Sequence, residues 1–152
     1  MTIDITLAKN LCLRFEGFRS HPYRDVGGYA TIGFGTRFYS NGEPVTMTDQ
    51  PVTFQIAEIL LNDALLHRYL PKMLETSPVL NDLPITANAI LDFCYNLGWE
   101  HYADSTLRDR IDEKDWARAK DEIVKWDHAS GTVQQGLLTR RQAEAEMIGT
   151  DK

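Results

Sequence analysis

The stretch EGFRSHPYRDVGGYATIGFGT, residues 16–36, places two carboxylates and a hydroxyl on a segment rich in turn residues. Glu16 ends an apolar helical pattern, whereas Asp25 and Thr31 follow among glycines and aromatic residues. A carboxyl at a helix end beside phenylalanines is partly desolvated, which favours its protonated form, while a carboxyl on a glycine-rich loop stays hydrated and ionised. Two such carboxyls suit the acid–base cleavage of an acetal.

The same residues also have ordinary interpretations. Carboxylates are mostly exposed, so Glu16 and Asp25 can be two solvated surface groups. Pro22 and the glycines after Asp25 allow the chain to fold back and bring both acids to one cleft. Thr31 is either a β-branched residue that favours a strand or a hydroxyl that holds a water while Asp25 removes its proton. The residues alone leave these alternatives open.

The composition indicates one globular domain. The 152 residues are 43% hydrophobic and 25% charged, as is usual for globular proteins, and no apolar run is long enough to span a membrane. The net charge of −6 argues against a broad nucleic-acid-binding surface. The segment MTIDITLAKNLCLRFEG has neither a long apolar core nor a small-residue cleavage site, so no conventional secretion signal is expected.

The cysteines and histidines predict neither a disulfide nor a metal site. Cys12 and Cys94 lie in apolar helical patterns, where a free cysteine behaves as a small core hydrophobe. The histidines lack the paired spacing of metal ligands, so no metal and no cofactor is predicted. The dispersed histidines are His21, His67, His101 and His128.

The periodicity predicts helices around one small sheet. A first helix is expected over residues 5–15, and short antiparallel strands between 18 and 45 with a hairpin turn at Ser40–Gly42. A long helix capped by Thr53 follows and bends or stops at Pro71. Residues 85–97 form a core helix that Gly98 ends.

The remaining third of the chain is also predicted to be helical. Ser105 can cap a short helix around residues 107–111, and another helix is expected over 112–126. A loop passes through Ser130 and Gly131, after which TRRQ at Thr139–Gln142 has a capping-box pattern that opens the last helix.

These elements predict an α+β fold in a single domain over residues 1–152, mostly helical with a small antiparallel sheet. The sheet lies in an N-terminal lobe over about residues 15–52, and a long connecting helix follows over about 53–74. A helical C-terminal lobe over about 75–152 is completed by the N-terminal helix.

The segment at residues 16–35 resembles the signature of the phage-type lysozymes, glycoside hydrolase family 24, which includes the T-even phage lysozymes. Later segments resemble the motifs of this family in the same order, so the resemblance covers nearly the whole chain. These segments are CYNLG at Cys94–Gly98, STL at Ser105–Leu107, the tryptophan of KWDHASG and GLLTRR at Gly136–Arg141.

The resemblance implies an enzyme that hydrolyses the β-1,4 bond between N-acetylmuramic acid and N-acetylglucosamine in peptidoglycan. Glu16 is then the general acid that protonates the leaving oxygen. Asp25, aided by Thr31, activates a water at the opposite face of the sugar, which inverts the anomeric carbon. Inverting enzymes separate the two carboxyls by roughly 6.5–9.5 Å to admit that water.

The resemblance also supplies substrate-binding candidates. Tyr95 and Asn96 end the core helix where the family lines its cleft, although core packing is an equal alternative for Tyr95. Thr106 and Arg37 are weaker candidates. The position before Arg37, which is Thr36 here, is often histidine in relatives, so a histidine contact between lobes is lost.

An arginine of the TRR motif, Arg141 or Arg140, is expected to face Glu16 across the cleft. The alternative is that both are exposed at a helix start. A facing arginine lowers the pKa of Glu16 whereas burial raises it, and the sequence does not rank the two effects.

The partners follow from the same resemblance. We expect peptidoglycan as substrate, a holin as functional partner, no nucleic acid, and a monomer made in the host cytoplasm that acts on the wall in the periplasm after release. One rival is a lytic transglycosylase, which cuts the same bond without water, although Asp25 and Thr31 together favour hydrolysis. The other is a non-catalytic peptidoglycan-binding protein.

Overall fold

The computed structural model describes residues 3–129 and 131–151. The predicted loop residue Ser130 therefore lies outside the described residues, as do Met1 and Thr2. The chain is mostly helical with two small antiparallel sheets, which confirms the predicted fold class. The α-helices are α1 (Thr6–Glu16), α2 (Phe54–Asp63), α3 (Leu70–Thr76), α4 (Pro84–Leu97), α5 (Trp99–Ala103), α6 (Thr106–Asp112), α7 (Trp116–Ile123) and α8 (Gln135–Met147). The strands are β1 (Arg19–Arg24), β2 (Ala30–Gly33), β3 (His128–Ala129) and β4 (Thr132–Val133).

Helix α1 places Glu16 at its last position, as predicted. Ala8 and Cys12, one turn apart, face the core. Gly17 has a φ of 74°, in the left-handed region that glycine adopts without strain, so the helix ends there. The Glu16 side chain therefore projects from a helix end.

Strands β1 and β2 form the predicted antiparallel sheet, with Tyr23 opposite Thr31 and Arg24 opposite Ala30. The hairpin turn predicted at Ser40–Gly42 is a tight turn that is not flanked by strands. The amide of Gly42 donates to the Tyr39 carbonyl at 2.9 Å, and a single bridge joins Phe38 to Pro44. The Tyr39 amide donates to the Glu43 carbonyl at 2.9 Å and the Val45 amide to the Arg37 carbonyl at 2.8 Å, so the bonds of the bridge flank Pro44 and do not use its nitrogen.

A continuous helical segment over residues 54–76 connects the sheet region to the other helices, and we call it the connecting helix. It is capped as predicted, since the Ile56 amide donates to Thr53 Oγ1 at 3.2 Å. It does not stop at Pro71: residues Ala64–Tyr69 form a π-helix, and Pro71 then lies in the first turn of α3. A proline is tolerated at the start of a helix because no intrahelical partner is required for its nitrogen.

Helix α4 is the central helix of the core and is buried along most of its length. Its predicted end at Gly98, where φ is 100°, is confirmed. Its start has a cap from the other end of the chain, because Asp151 accepts from the amides of Ile85 at 2.6 Å and Thr86 at 3.0 Å.

The last helices differ in part from the prediction. Ser105 caps α6 as expected, accepting from the Arg108 amide at 3.1 Å. The helix predicted over 112–126 is shorter, because Lys114 has a φ of 57° and ends α6, and Asp115 then caps α7.

The capping box predicted at Thr139 is wrong. Helix α8 begins at Gln135, so Thr139 is inside the helix, and its hydroxyl donates to the Gln135 carbonyl at 2.9 Å. Threonine often makes this bond to the carbonyl four residues earlier.

Cys12 and Cys94 are free and buried, as predicted. Within the described residues, no helix has the length and apolar character needed to cross a membrane.

Candidate active site

One pocket of about 170 Å³ gathers Glu16 from the end of α1, Asp25 from the turn after β1, and Thr31 from β2. The predicted substrate residues Arg37, Tyr95 and Asn96 line the same pocket. Its other lining residues are Tyr23, Gly35, Tyr69, Leu97 and Gly98. We call this space the central pocket.

Glu16 lies in the wall of the central pocket with its side chain 17% exposed. Arg140 Nη1 donates to Glu16 Oε2 at 2.6 Å. Burial raises the pKa of the Glu16 carboxyl, and the opposing charge of Arg140 does not cancel that effect. The effect of burial on the pKa of Glu16 is therefore larger than the effect of the facing arginine, an order that the sequence did not give.

Arg140 is held in place by a buried carboxylate on α4. Its Nε and Nη2 donate to Asp92 Oδ2 and Oδ1 at 2.8 and 2.7 Å, and Asp92 is completely buried. Cys12 Sγ also donates to Asp92 Oδ1, at 3.3 Å. The bidentate pair fixes the orientation of the guanidinium, so its remaining nitrogen points at Glu16.

Asp25 has a different environment. Its Oδ1 accepts from the backbone amides of Gly27 and Tyr29, both at 2.9 Å, and its side chain is half-buried. Within the described part of the chain, Oδ2 accepts no hydrogen bond. The turn thus orients one carboxylate oxygen and leaves the other for a ligand.

Thr31 is 2% exposed, and its hydroxyl donates to the Tyr29 carbonyl at 2.8 Å. Because that proton is used, the oxygen can meet a ligand only as an acceptor. Tyr23, opposite Thr31 in the sheet, lies on the same face and lines the pocket beside it.

Tyr95 both packs in the core and lines the central pocket, so the two alternatives predicted for it are both present. Its hydroxyl donates to the Phe34 carbonyl at 2.6 Å, and its ring packs edge-on against Tyr69 at 5.2 Å between centroids. Burial raises the pKa of Tyr95. Arg37 stacks on Tyr29, with its guanidinium carbon 3.6 Å from the ring centroid.

Residues 13–144 match the family model described as phage lysozyme. The chain belongs to the phage lysozyme family. It is 31% identical over 134 residues to a SAR-endolysin of Bacteriophage PS119, covering 87% of this chain and 75% of that protein. It is 30% identical to an endolysin of Acyrthosiphon pisum secondary endosymbiont phage 1, covering 91% and 92% of the two chains.

Solved structures agree on the fold. The endolysin from Escherichia coli O157:H7 phage FAHEc1 superposes with a TM-score of 0.81 at 24% identity, covering 99% of this chain and 94% of that one. Family membership confirms the predicted glycoside hydrolase, an endolysin that cleaves peptidoglycan.

Two predicted substrate residues of this phage lysozyme lie outside the central pocket. The arginine that faces Glu16 is Arg140, not Arg141, whose side chain is fully buried. Arg141 pairs with Glu144, with Nε 2.7 Å from Oε1, and donates from Nη2 to Asn96 Oδ1 at 2.9 Å. Thr106 is exposed at the start of α6 and does not line the pocket.

Glu144 and Asp92 form a buried acid pair behind the pocket. Burial, followed by the hydrogen bond with Asp92, raises the pKa of Glu144 well above its usual range. Burial also opposes ionisation of Asp92, but hydrogen bonds from Glu144 and Arg140 outweigh it and lower the pKa of Asp92. Of the two acids, Glu144 therefore holds a proton more tightly, and Asp92 is the one whose oxygens accept from Arg140.

Asp92 was not among the predicted site residues, although the sequence carries a signal for it. Asn88, Asp92 and Asn96 recur every four residues in a helix that is otherwise apolar, which indicates one buried polar stripe. Asn88 Oδ1 accepts from the Ala8 amide at 2.9 Å, so the stripe also fixes α1 against α4. Among residues 3–129 and 131–151, no group of three or more histidine, cysteine or acidic side chains can hold a metal ion.

Proposed function

We propose that this endolysin is a muramidase that hydrolyses the β-1,4 bond between N-acetylmuramic acid and N-acetylglucosamine with inversion at the anomeric carbon. The observation that carries the proposal is the pairing, in one pocket, of a carboxyl whose pKa burial raises with a second carboxylate beside a buried hydroxyl. Two carboxyls in unlike environments are the arrangement that glycoside hydrolysis uses.

Glu16 supplies the proton. The protonated carboxyl donates to the glycosidic oxygen as the bond from that oxygen to the anomeric carbon breaks, and the leaving sugar departs as an alcohol. The Arg140 charge then stabilises the carboxylate that remains, because it lies 2.6 Å from Oε2. The same contact that opposes protonation before the reaction thus favours the product state of the acid.

Asp25 and Thr31 supply the nucleophile. Thr31 accepts one hydrogen of a water, since its own proton is donated to the Tyr29 carbonyl. Asp25 Oδ2 removes the other proton as the water oxygen bonds to the anomeric carbon. Attack from the face opposite the leaving oxygen gives the inverted anomer. Arg37, Tyr95 and Asn96 contact the sugars around the scissile bond.

The first experiment compares Glu16→Gln with wild type in the clearing of purified peptidoglycan. The rate falls by at least about a hundredfold, because general acid catalysis contributes 10²–10⁴-fold. Glu146→Gln, an exposed carboxylate on α8, is the matched control and keeps the wild-type rate. Comparable clearing by Glu16→Gln contradicts the role of Glu16.

A second experiment identifies the chemistry. NMR of the first-formed reducing end shows the α anomer from a β-linked substrate if the enzyme inverts, and the β anomer contradicts inversion. Mass spectrometry of the muropeptides shows hydrated ends, whereas 1,6-anhydro ends identify a lytic transglycosylase.

We further propose that the enzyme is a monomer, is made in the host cytoplasm and reaches the wall in the periplasm through a membrane lesion opened by a holin. The resemblance to phage lysozymes supports this route. Expression in a bacterial host with and without a co-expressed holin tests it: lysis on induction of the endolysin alone contradicts the need for the holin. Light scattering at working concentrations tests the monomer.

A further inference from the structure

A second cavity, of about 520 Å³, lies between the tight turn at residues 38–42 and the connecting helix. We call it the basic groove. It is larger than the central pocket, and none of the proposed catalytic residues lines it. Its charged, histidine and aromatic lining residues are Phe38, Tyr39, Asp63, His67, Arg68 and Lys72.

The basic groove concentrates positive charge on an acidic protein. Arg68 and Lys72 are exposed on the connecting helix and line the groove together with His67, although the chain carries a net charge of −6. Within the described residues, none of the three forms an ion pair. The carboxylate of the groove, Asp63, is already engaged, because Ser40 Oγ donates to its Oδ2 at 2.6 Å.

The spacing of these charges favours a bound anion. Arg68 and Lys72 are four residues apart and thus lie on one side of the helix, where like charges repel. An anion between them removes that repulsion and accepts charge-assisted hydrogen bonds from both. Arg68 and His67 belong to the π-helix, and such segments are frequent at functional sites.

The groove is adjacent to the central pocket. A small cavity of about 10 Å³ lies between them and shares Arg37 and Tyr69 with the pocket and Phe38 and Arg68 with the groove. Arginines and aromatic rings stack along it: the Arg68 guanidinium lies 4.2 Å from the Phe38 centroid, and Arg37 lies 5.8 Å from the same ring. A side branch of a ligand bound in the central pocket would therefore lie next to the groove.

We propose that the basic groove binds the carboxylates of the peptide stem of peptidoglycan. This inference rests on the proposed function, because the stem is the anionic chain attached to the glycan that the central pocket cleaves. Arg68 and Lys72 bind the carboxylates, and Phe38 and Tyr39 pack against the aliphatic part of the stem. The groove thus contributes affinity for wall that carries stems and none for bare glycan.

The test measures binding in the Glu16→Gln background, so that the ligand stays intact. Fluorescent soluble glycan strands are used in two forms, with stems and after removal of the stems by an amidase. Adding Arg68→Gln and Lys72→Gln weakens binding of the stem-bearing strands about tenfold, equivalent to about 1.4 kcal/mol, and leaves binding of the stripped strands unchanged. Adding Arg118→Gln and Lys125→Gln, which remove the same charge from exposed positions on and after α7, changes neither.

The other outcomes overturn the proposal. Equal losses of affinity for the stem-bearing and the stripped strands, or no loss for either, show that the groove does not bind the stem. A larger loss of affinity for a phosphodiester wall polymer than for the stem-bearing strands assigns the groove to that polymer.

Two controls accompany the test. Arg68→Lys, which keeps the charge, restores most of the affinity for the stem-bearing strands, and thermal melts check that every variant is folded. If the parent enzyme cleaves neither strand, the proposed function fails, while the dissociation constants still decide the role of the groove.

Discussion

Glu16 and Asp92, on different helices, are joined through the guanidinium of Arg140, which donates to Glu16 Oε2 at 2.6 Å and to both oxygens of Asp92 at 2.7 and 2.8 Å. Asp92 is completely buried, so the pair with Arg140 is screened little by solvent. The protonation of the proposed general acid is therefore coupled to a carboxylate that does not line the central pocket.

Replacing Asp92 by asparagine is expected to move the alkaline limb of the pH–activity profile to lower pH. The negative charge of Asp92 raises the pKa of Glu16, so its removal lowers that pKa. The positive charge of Arg140 is then no longer offset by Asp92, which lowers the pKa of Glu16 further. Since Glu16 works as an acid only when protonated, activity is lost at lower pH than in wild type. The asparagine oxygen still accepts from Arg140, which limits structural damage.

The exposed Asp82→Asn is the control and leaves the limb in place. Arg140→Gln shifts the limb in the opposite direction, because Arg140 lowers the pKa of Glu16. Rate profiles on one substrate from pH 4 to 9 measure both shifts, and a limb that moves the same way in both variants contradicts the coupling.

Glu144 is expected to reduce the stability of the protein as the pH rises. Burial raises the pKa of Glu144 above its ordinary 4.5, so the folded state binds more protons than the unfolded state above that pH. The free energy of unfolding therefore falls as the pH rises from about 4.5 towards the raised pKa. Glu144→Gln removes this dependence.

Thermal melts between pH 5 and 8 measure the effect as a flatter change of Tm with pH in Glu144→Gln than in wild type. Glu16, whose pKa is also raised, adds a slope of the same sign to both proteins, so it does not affect the difference. Glu146→Gln, exposed on the same helix, keeps the wild-type slope. Equal slopes in all three proteins show that Glu144 is ionised when folded.

Local patterns predicted the local structure around the three proposed catalytic residues, and the resemblance to the phage-type lysozymes supplied their roles. The period of α1 and the glycine that ends it fix Glu16 at a helix end, and the turn residues before β2 bring Asp25 and Thr31 back towards it. These signals act over a few residues and do not depend on the rest of the fold.

Long-range contacts were not predictable in the same way. Successive residues of a helix project about 100° apart, so whether Arg140 or Arg141 faces Glu16 depends on how α8 packs. Because the start of α8 was predicted at the wrong residue, the buried face of this helix could not be predicted. Asp92 was missed because the prediction counted apolar positions of α4 only. The Asp151 cap joins residues more than sixty positions apart, beyond any local pattern.

Gly35 approaches the Glu16 carboxyl so closely that an added methyl group is expected to displace it. A Cβ at Gly35 would lie 2.9 Å from Glu16 Oε1. Gly35→Ala therefore lowers the rate of peptidoglycan cleavage at least about tenfold, because small misplacements of reacting groups cost that much or more. The backbone φ of 84° adds about 1 kcal/mol of strain.

Gly131→Ala separates the two effects. Its φ of 78° imposes a similar strain, but its Cβ meets no atom within 4 Å. Both variants lose similar stability in chemical denaturation, while only Gly35→Ala loses activity. Similar activity in the two variants contradicts a steric effect on Glu16.

The Thr31 hydroxyl is expected to matter far more for catalysis than for stability. Thr31→Val keeps the shape of the side chain and removes the group that accepts from the proposed water, so kcat falls about a hundredfold, a typical contribution for positioned proton-transfer groups. The lost hydrogen bond to the Tyr29 carbonyl costs only about 1 kcal/mol of stability. Thr31→Ser, which keeps the hydroxyl, retains most of the activity. If valine and serine variants cleave peptidoglycan at the same rate, Thr31 is a strand residue of the sheet and Asp25 orients the water without it.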